Sequence, residues 1–145
     1  MFDIWNREEP LASEQYRKPN YCTREHGVKD GWCVIYCSSN DIWYPNEEDA
    51  FRRSFVEGDY YEWKNVGCDR AAKEIFVRDI YKSWYVTGIS ETIDSIDRLA
   101  DFLRTEAGER PVVCVGSSSG GYLGAALGGL RGGESVGAVC AVWGG

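Results

Sequence analysis

Val112-Val113-Cys114-Val115-Gly116-Ser117-Ser118-Ser119-Gly120-Gly121 is the stretch that decides how this chain is read. Four small β-formers run into a Gly-x-Ser-x-Gly pattern centred on Ser118. A helix-compatible run, Tyr122-Leu123-Gly124-Ala125-Ala126-Leu127, follows at once. Strand, sharp turn and helix in that order form the context in which such a pattern holds a serine hydroxyl at the tip of a strained corner. Gly116 and Gly120 flank the corner because a side chain at either position would clash where strand and helix approach. The helix N-terminus aims amide N–H groups and a partial positive charge at Ser118, which suits a developing oxyanion. Ser118 is therefore the candidate nucleophile. Two other readings of the same residues stay open. Gly-rich turns also cradle phosphate, although neither Gly-x-Gly-x-x-Gly nor Gly-Lys-Ser/Thr occurs here. A tight structural turn built from small residues is the other.

Working outward, Trp32-Cys33-Val34-Ile35-Tyr36-Cys37 is a continuous apolar run bounded by Gly31 and Ser38-Ser39-Asn40. It predicts a strand buried on both faces, as in a parallel sheet. Glu47 to about Val56 predicts a helix, with Phe51 and Phe55 sharing one face. Tyr60-Tyr61-Glu62-Trp63 is an aromatic patch that suits core packing or the lining of an acyl or sugar pocket. Residues 74–79 predict the next strand. Ser90 is placed to cap a helix with Glu91 and Asp94 in its first turn. The apolar face of that helix is Ile93, Ile96, Leu99, Ala100 and Leu103, and Gly108 is placed to stop it. A last strand spans 136–143. Residues 1–30 carry Pro10, Pro19 and Gly27 and no sustained period. They read as an irregular N-terminal extension, with a short element around Ser13–Tyr16 at most. The only histidine, His26, lies here and reads as a surface residue near a turn.

Alternation of strand and helix predicts an α/β architecture, a three-layer sandwich with a mostly parallel sheet, over residues 31–145. A chain of 145 residues supports one domain, and 43% hydrophobic content is ample for its core. The net charge of −7 disfavours a nucleic-acid partner or an anionic membrane, since either needs a basic face. No apolar run approaches the roughly 20 residues of a membrane span. The N-terminus is acidic and lacks an apolar signal core, so a cytoplasmic location is expected. The six cysteines include no Cys-x-x-Cys pair. With one histidine, they predict buried free thiols and no metal site. Nothing resembles a dinucleotide motif, and no cofactor is expected.

The segment 112–130, with the strands before and after it, resembles the central part of an α/β-hydrolase. The likeness makes 32–37 the third strand, 74–79 the fourth, 111–115 the fifth and 136–143 the sixth, with the nucleophile elbow after the fifth. Val77-Arg78-Asp79 through Trp84-Tyr85, together with Gly116–Tyr122, further resembles the hydrolase-like proteins of bacterial surface-polysaccharide gene clusters. The resemblance implies that Ser118 is the nucleophile and that the backbone N–H of Ser119 is one oxyanion donor. The second donor would come from the loop after the third strand, here 38–41. Asn40 is the first choice and Ser39 the alternative; ordinary turn chemistry competes for the same residues. The His-Gly-Gly-Gly form of this loop is absent.

In the superfamily the triad runs Ser, then Asp or Glu, then His. After Ser118 this chain has no histidine and no aspartate, and Glu134 is its only acid there. Using His26 as the base would require an unrelated topology. The expectation is an incomplete α/β-hydrolase-like fold, part of a longer acyl-ester hydrolase whose acid and histidine lie further on. The alternatives are an O-acyltransferase acting on a glycan and a hydrolase-like module without chemistry. The expected ligand is a small-molecule or glycan ester.

Overall fold

The computed structural model describes residues 1–117, 119, 120, 123, 127 and 138–142. In chain order the elements are α1 (Pro10–Tyr16), β1 (Tyr21–Glu25), β2 (Trp32–Cys37), α2 (Glu48–Phe51), β3 (Ala71–Val77), α3 (Ile96–Ala107), β4 (Val112–Ser117) and β5 (Ala138–Val142). A wider π-type turn over Arg52–Glu57 continues α2. Ser119, Gly120, Leu123 and Leu127 are helical. The strands form one five-stranded sheet in the order β1-β3-β2-β4-β5. β1 is antiparallel to β3, and the other pairings are parallel. This is an α/β fold on a mixed sheet.

The apolar run read as a doubly buried strand is β2. Its side chains divide between two faces, as the period of two requires. Cys33, Ile35 and Cys37 join Ile75, Val77 and Cys114 on the face covered by Leu99, Ala100, Leu103 and Ala107 of α3. Leu123 and Leu127 pack into the same cluster, so the helical residues after β4 lie on that face too. Val34, Tyr36 and Phe76 face the other way beneath Tyr61, with Trp63 and Cys68 against them. A third cluster brings Ile4 and Ala12 together with Trp43, Phe51, Phe55 and Ile80, and both α1 and α2 contribute to it.

Three expectations change in detail. Residues 1–30 contain two regular elements, and β1 is a strand of the sheet, not a loose extension. Its polar Arg24 and Glu25 hide this in the sequence, because an edge strand is paired on one side only and carries charge there. The strand expected over 74–79 runs instead from Ala71 to Val77. Arg78 and Asp79 leave the sheet as buried polar residues. The helix expected from Ser90 begins at Ile96, capped by Ser95, whose Oγ accepts from the Arg98 N–H. The Ser90 Oγ makes a local turn instead, accepting from the Ile93 N–H at 3.2 Å. The Ile93 carbonyl accepts from Ile89 and Ser90 and is thereby committed to the turn. Gly88, at φ +64°, lies so close to the Ile93 backbone that no Cβ fits. Serine caps both turns and helices, and tertiary contact decides between them here. Among the described residues, no helix is long and apolar enough to cross a membrane.

Candidate functional site

The topology itself marks a position. From β2 the chain moves outward to β3 on one side, then crosses to β4 on the other and continues to β5. In an open α/β sheet, the crevice outside the carboxyl ends of the strands at such a reversal is where ligands bind. The described residues that leave those ends here are Ser38, Ser39 and Asn40 after β2 and Ser119 and Gly120 after β4. Because β2 and β4 are direct parallel neighbours, with Cys37 opposite Gly116, both segments emerge side by side.

Their contact is close. A Cβ built on Gly120 would lie 3.0 Å from the Cys37 carbonyl carbon, and nearer still to the carbonyl oxygen. Only glycine lets the start of the helix sit on the end of β2 in this way. Ser119 has 0% exposure and its Oγ donates to Asn40 Oδ1 at 3.2 Å. The Ser119 hydroxyl is thus a buried tie between the two segments, and its backbone N–H stands in the first helical turn, where amides lack intrahelical acceptors. Gly116 is buried within β4, paired with Cys37 on one side and Ala141 on the other. Ser118, the candidate nucleophile, and Glu134 lie outside the described residues.

The loop after β2 is held from both sides of the sheet. Asn40 opens a short 3-10 turn, Asn40–Ile42, whose cap is Ser39: its Oγ accepts from the Asp41 N–H at 3.2 Å. Above it, Glu62 Oε1 accepts from the Ser39 N–H at 3.0 Å and from the Ser39 hydroxyl at 2.6 Å. In return the Glu62 N–H donates to Ser38 Oγ at 3.1 Å. Below it, the Tyr85 hydroxyl donates to the Ser38 carbonyl at 2.6 Å and to that of Val77 at 3.3 Å. Burial pushes the Tyr85 phenol well above its ordinary pKa, and nearby Cys37, Asp79 and Glu62 add to the rise. It remains a neutral donor.

Tyr85 sits at φ +63°, between Trp84 at +57° and the tight turn at Gly88. Non-glycine residues adopt this region rarely, and Asp79 organises the exception here. Its Oδ2 accepts from the Ser83 N–H and Oγ and from the Tyr85 N–H, and its Oδ1 accepts from the Tyr81 N–H. Burial raises the Asp79 carboxyl even against these bonds. Its neighbour Arg78 is buried as well. The Arg78 guanidinium reaches Asn20 Oδ1, the Tyr60 carbonyl and Asp59, and lies over the rings of Phe55 and Tyr61. That set of contacts anchors the segment from which Glu62 extends.

His26 is not near this site. Its N–H donates to the Ala72 carbonyl at the start of β3, the opposite end of the sheet from Cys37 and Val77. Its Nε2 lies 2.7 Å from Glu74 Oε1. Glu74, 2% exposed, also accepts from the Tyr36 hydroxyl at 2.6 Å and faces Arg24 at 3.3 Å. Burial works to raise the Glu74 carboxyl, but the bonds from Tyr36 and His26 and the Arg24 charge outweigh it and hold it below the ordinary value. This is a structural network on the sheet face.

Of the residues expected at the site, Ser119, Gly116, Gly120 and Asn40 converge on the ends of β2 and β4. Sequence reasoning passed over Glu62, Tyr85 and Asp79 as parts of the framework. The signal for Glu62, a lone acid in an aromatic run, is visible only in retrospect. Among the described residues, no group of three or more His, Cys, Asp or Glu side chains is placed to hold a metal ion. No family model, curated protein or solved structure matches the chain.

Proposed function

We propose that the chain carries the nucleophile elbow of an α/β-hydrolase-type serine site that acts on acyl esters. The observation that carries this reading is the approach of Gly120 to the Cys37 carbonyl, tied by the Ser119–Asn40 hydrogen bond at the topological reversal of the sheet. An acyl-transfer site needs a second loop at this point, because the second oxyanion donor comes from the loop after a neighbouring strand.

In this reading the Ser118 hydroxyl attacks the ester carbonyl carbon. The carbonyl oxygen takes up the negative charge between the Ser119 N–H and an amide of the 38–41 loop. The bond to the leaving alcohol then breaks, that alcohol takes a proton, and water hydrolyses the acyl-serine. Deprotonating the serine needs a base. His26 does not serve, since its ring is bonded to Glu74, midway along β3 and away from the ends of β2 and β4. The free cysteines among the described residues fit a reducing compartment such as the cytoplasm.

The test is covalent labelling of the full-length protein by a fluorophosphonate. The expected result is a single adduct on Ser118, located by peptide mass spectrometry and absent from Ser118→Ala. No adduct on the wild type, or equal labelling of the variant, overturns the reading.

A further inference from the structure

Resting on that reading, we infer that Glu62 is a positioning residue of the oxyanion site, and that its hold on Ser39 makes Asn40 the second donor. The loop after β2 offers two successive amides, those of Ser39 and Asn40. The Ser39 N–H is already bonded to Glu62 Oε1 and so is committed to that acceptor. The Asn40 N–H has no acceptor among the described residues. Its own side chain accepts from Ser119, whose backbone N–H is the other proposed donor. One hydrogen bond therefore spans the two residues whose amides would share the oxyanion.

Glu62 fixes the direction of the Asn40 amide through the residue before it. Oε1 takes both donors of Ser39, and the Ser39 hydroxyl in turn accepts from the Asp41 N–H at 3.2 Å, which closes the turn around Asn40. The Glu62 N–H on Ser38 Oγ completes a reciprocal pair, so neither segment can slide without breaking the other's bonds. From the opposite side Tyr85 holds the Ser38 carbonyl. A carboxylate near a site that develops negative charge is unfavourable unless it is needed. Here its Oε1 is occupied by two donors, and an amide oxygen at the same place would accept both equally well. The acceptor at position 62 therefore matters and its negative charge does not.

The experiment compares fluorophosphonate labelling rates and p-nitrophenyl acetate hydrolysis for wild type, Glu62→Gln and Glu62→Ala in the full-length protein. Glu62→Ala is expected to lower kcat and the labelling rate by about 10–100-fold with KM little changed, the effect of misaiming one oxyanion donor. Glu62→Gln is expected to retain both rates within about threefold of wild type. Ser118-dependent labelling of the wild type with an unaffected Glu62→Ala overturns this inference while leaving the serine site standing. So does a Glu62→Gln variant that falls as far as the alanine. A wild type that is not labelled at Ser118 overturns the reading beneath both. Where Glu62→Ala does not fold, Ser39→Ala carries the test, since it removes only the hydroxyl linking Glu62 to the Asp41 amide. A Ser39→Ala rate within about threefold of wild type then overturns the inference.

Discussion

Replacing Gly120 with alanine adds one methyl group at the contact on which the site depends. In most helices the change is favourable, by about 0.5–1 kcal/mol, because alanine loses less backbone freedom on folding. At Gly120 the sign should reverse. The new Cβ would stand 3.0 Å from the Cys37 carbonyl carbon and 3.3 Å from the Cys37 Cβ, with the carbonyl oxygen closer than either. Comfortable carbon contacts lie near 3.5–4.0 Å, so relief requires the helix start and the end of β2 to part by on the order of 1 Å. Overpacking of this kind costs about 1–3 kcal/mol, which for a chain of this size lowers the melting temperature by roughly 3–9 °C. The functional cost should be larger, because a displacement near 1 Å at a reacting centre is worth about 10²-fold in rate. Gly27→Ala is the control, since an added Cβ there meets nothing within 4 Å. Thermal unfolding and fluorophosphonate labelling of both variants supply the measurements. A Gly120→Ala protein as stable as wild type or more so, labelled at an undiminished rate, would refute the close approach and the argument built on it.

The thiols and the buried carboxylate give two further tests. Burial pushes Cys33 up to about 11 and Cys114 up to about 12, and Cys37 well above its ordinary value. At neutral pH the thiolate of a group at 11 is roughly one part in 10⁴, and the thiolate is the nucleophile. Iodoacetamide should therefore modify half-buried Cys22 and Cys68 well before these three, which should react only on unfolding. Equal rates by peptide mass spectrometry would contradict the burial. Glu74 is held below the ordinary carboxyl value by Tyr36, His26 and Arg24, so its contribution to stability is present above the unfolded value of about 4.3. It is lost as pH falls through the lower folded value. The stability gap between wild type and Glu74→Gln should accordingly narrow on acidification, and a gap constant from pH 7 to about pH 3 would count against the network.

How much of this was legible beforehand depends on the range over which each residue acts. Trp32–Cys37 declares itself because a strand buried on both faces reads as a continuous apolar run, and the run Val112–Val115 marks β4 in the same way. β1 does not, because Thr23, Arg24 and Glu25 are exposed at a sheet edge, and only the pairing of Tyr21 with Val77 and of Glu25 with Lys73 makes them a strand. The start of α3 is hidden for a similar reason. Ser90 and Ser95 are equivalent caps by sequence, and the Ile93 carbonyl, held by Ile89 and Ser90, decides between them.

The site divides along the same line. Gly116, Gly120 and Ser119 belong to one short strand-to-helix pattern, so local sequence is enough to nominate them. Asn40 was a choice between two adjacent amides that local sequence cannot separate. What separates them is Glu62, more than twenty positions further along, with its carboxylate on the Ser39 N–H. Tyr85, further still, holds the Ser38 carbonyl from beneath the sheet. The pattern proposed to present a nucleophile is thus written in a few consecutive residues. The loop after β2 is held by side chains that meet it only once β2, β3 and β4 lie side by side. For that reason Glu62→Ala and Gly120→Ala probe different things: the first tests the aim of the loop, and the second tests whether the two segments meet at all.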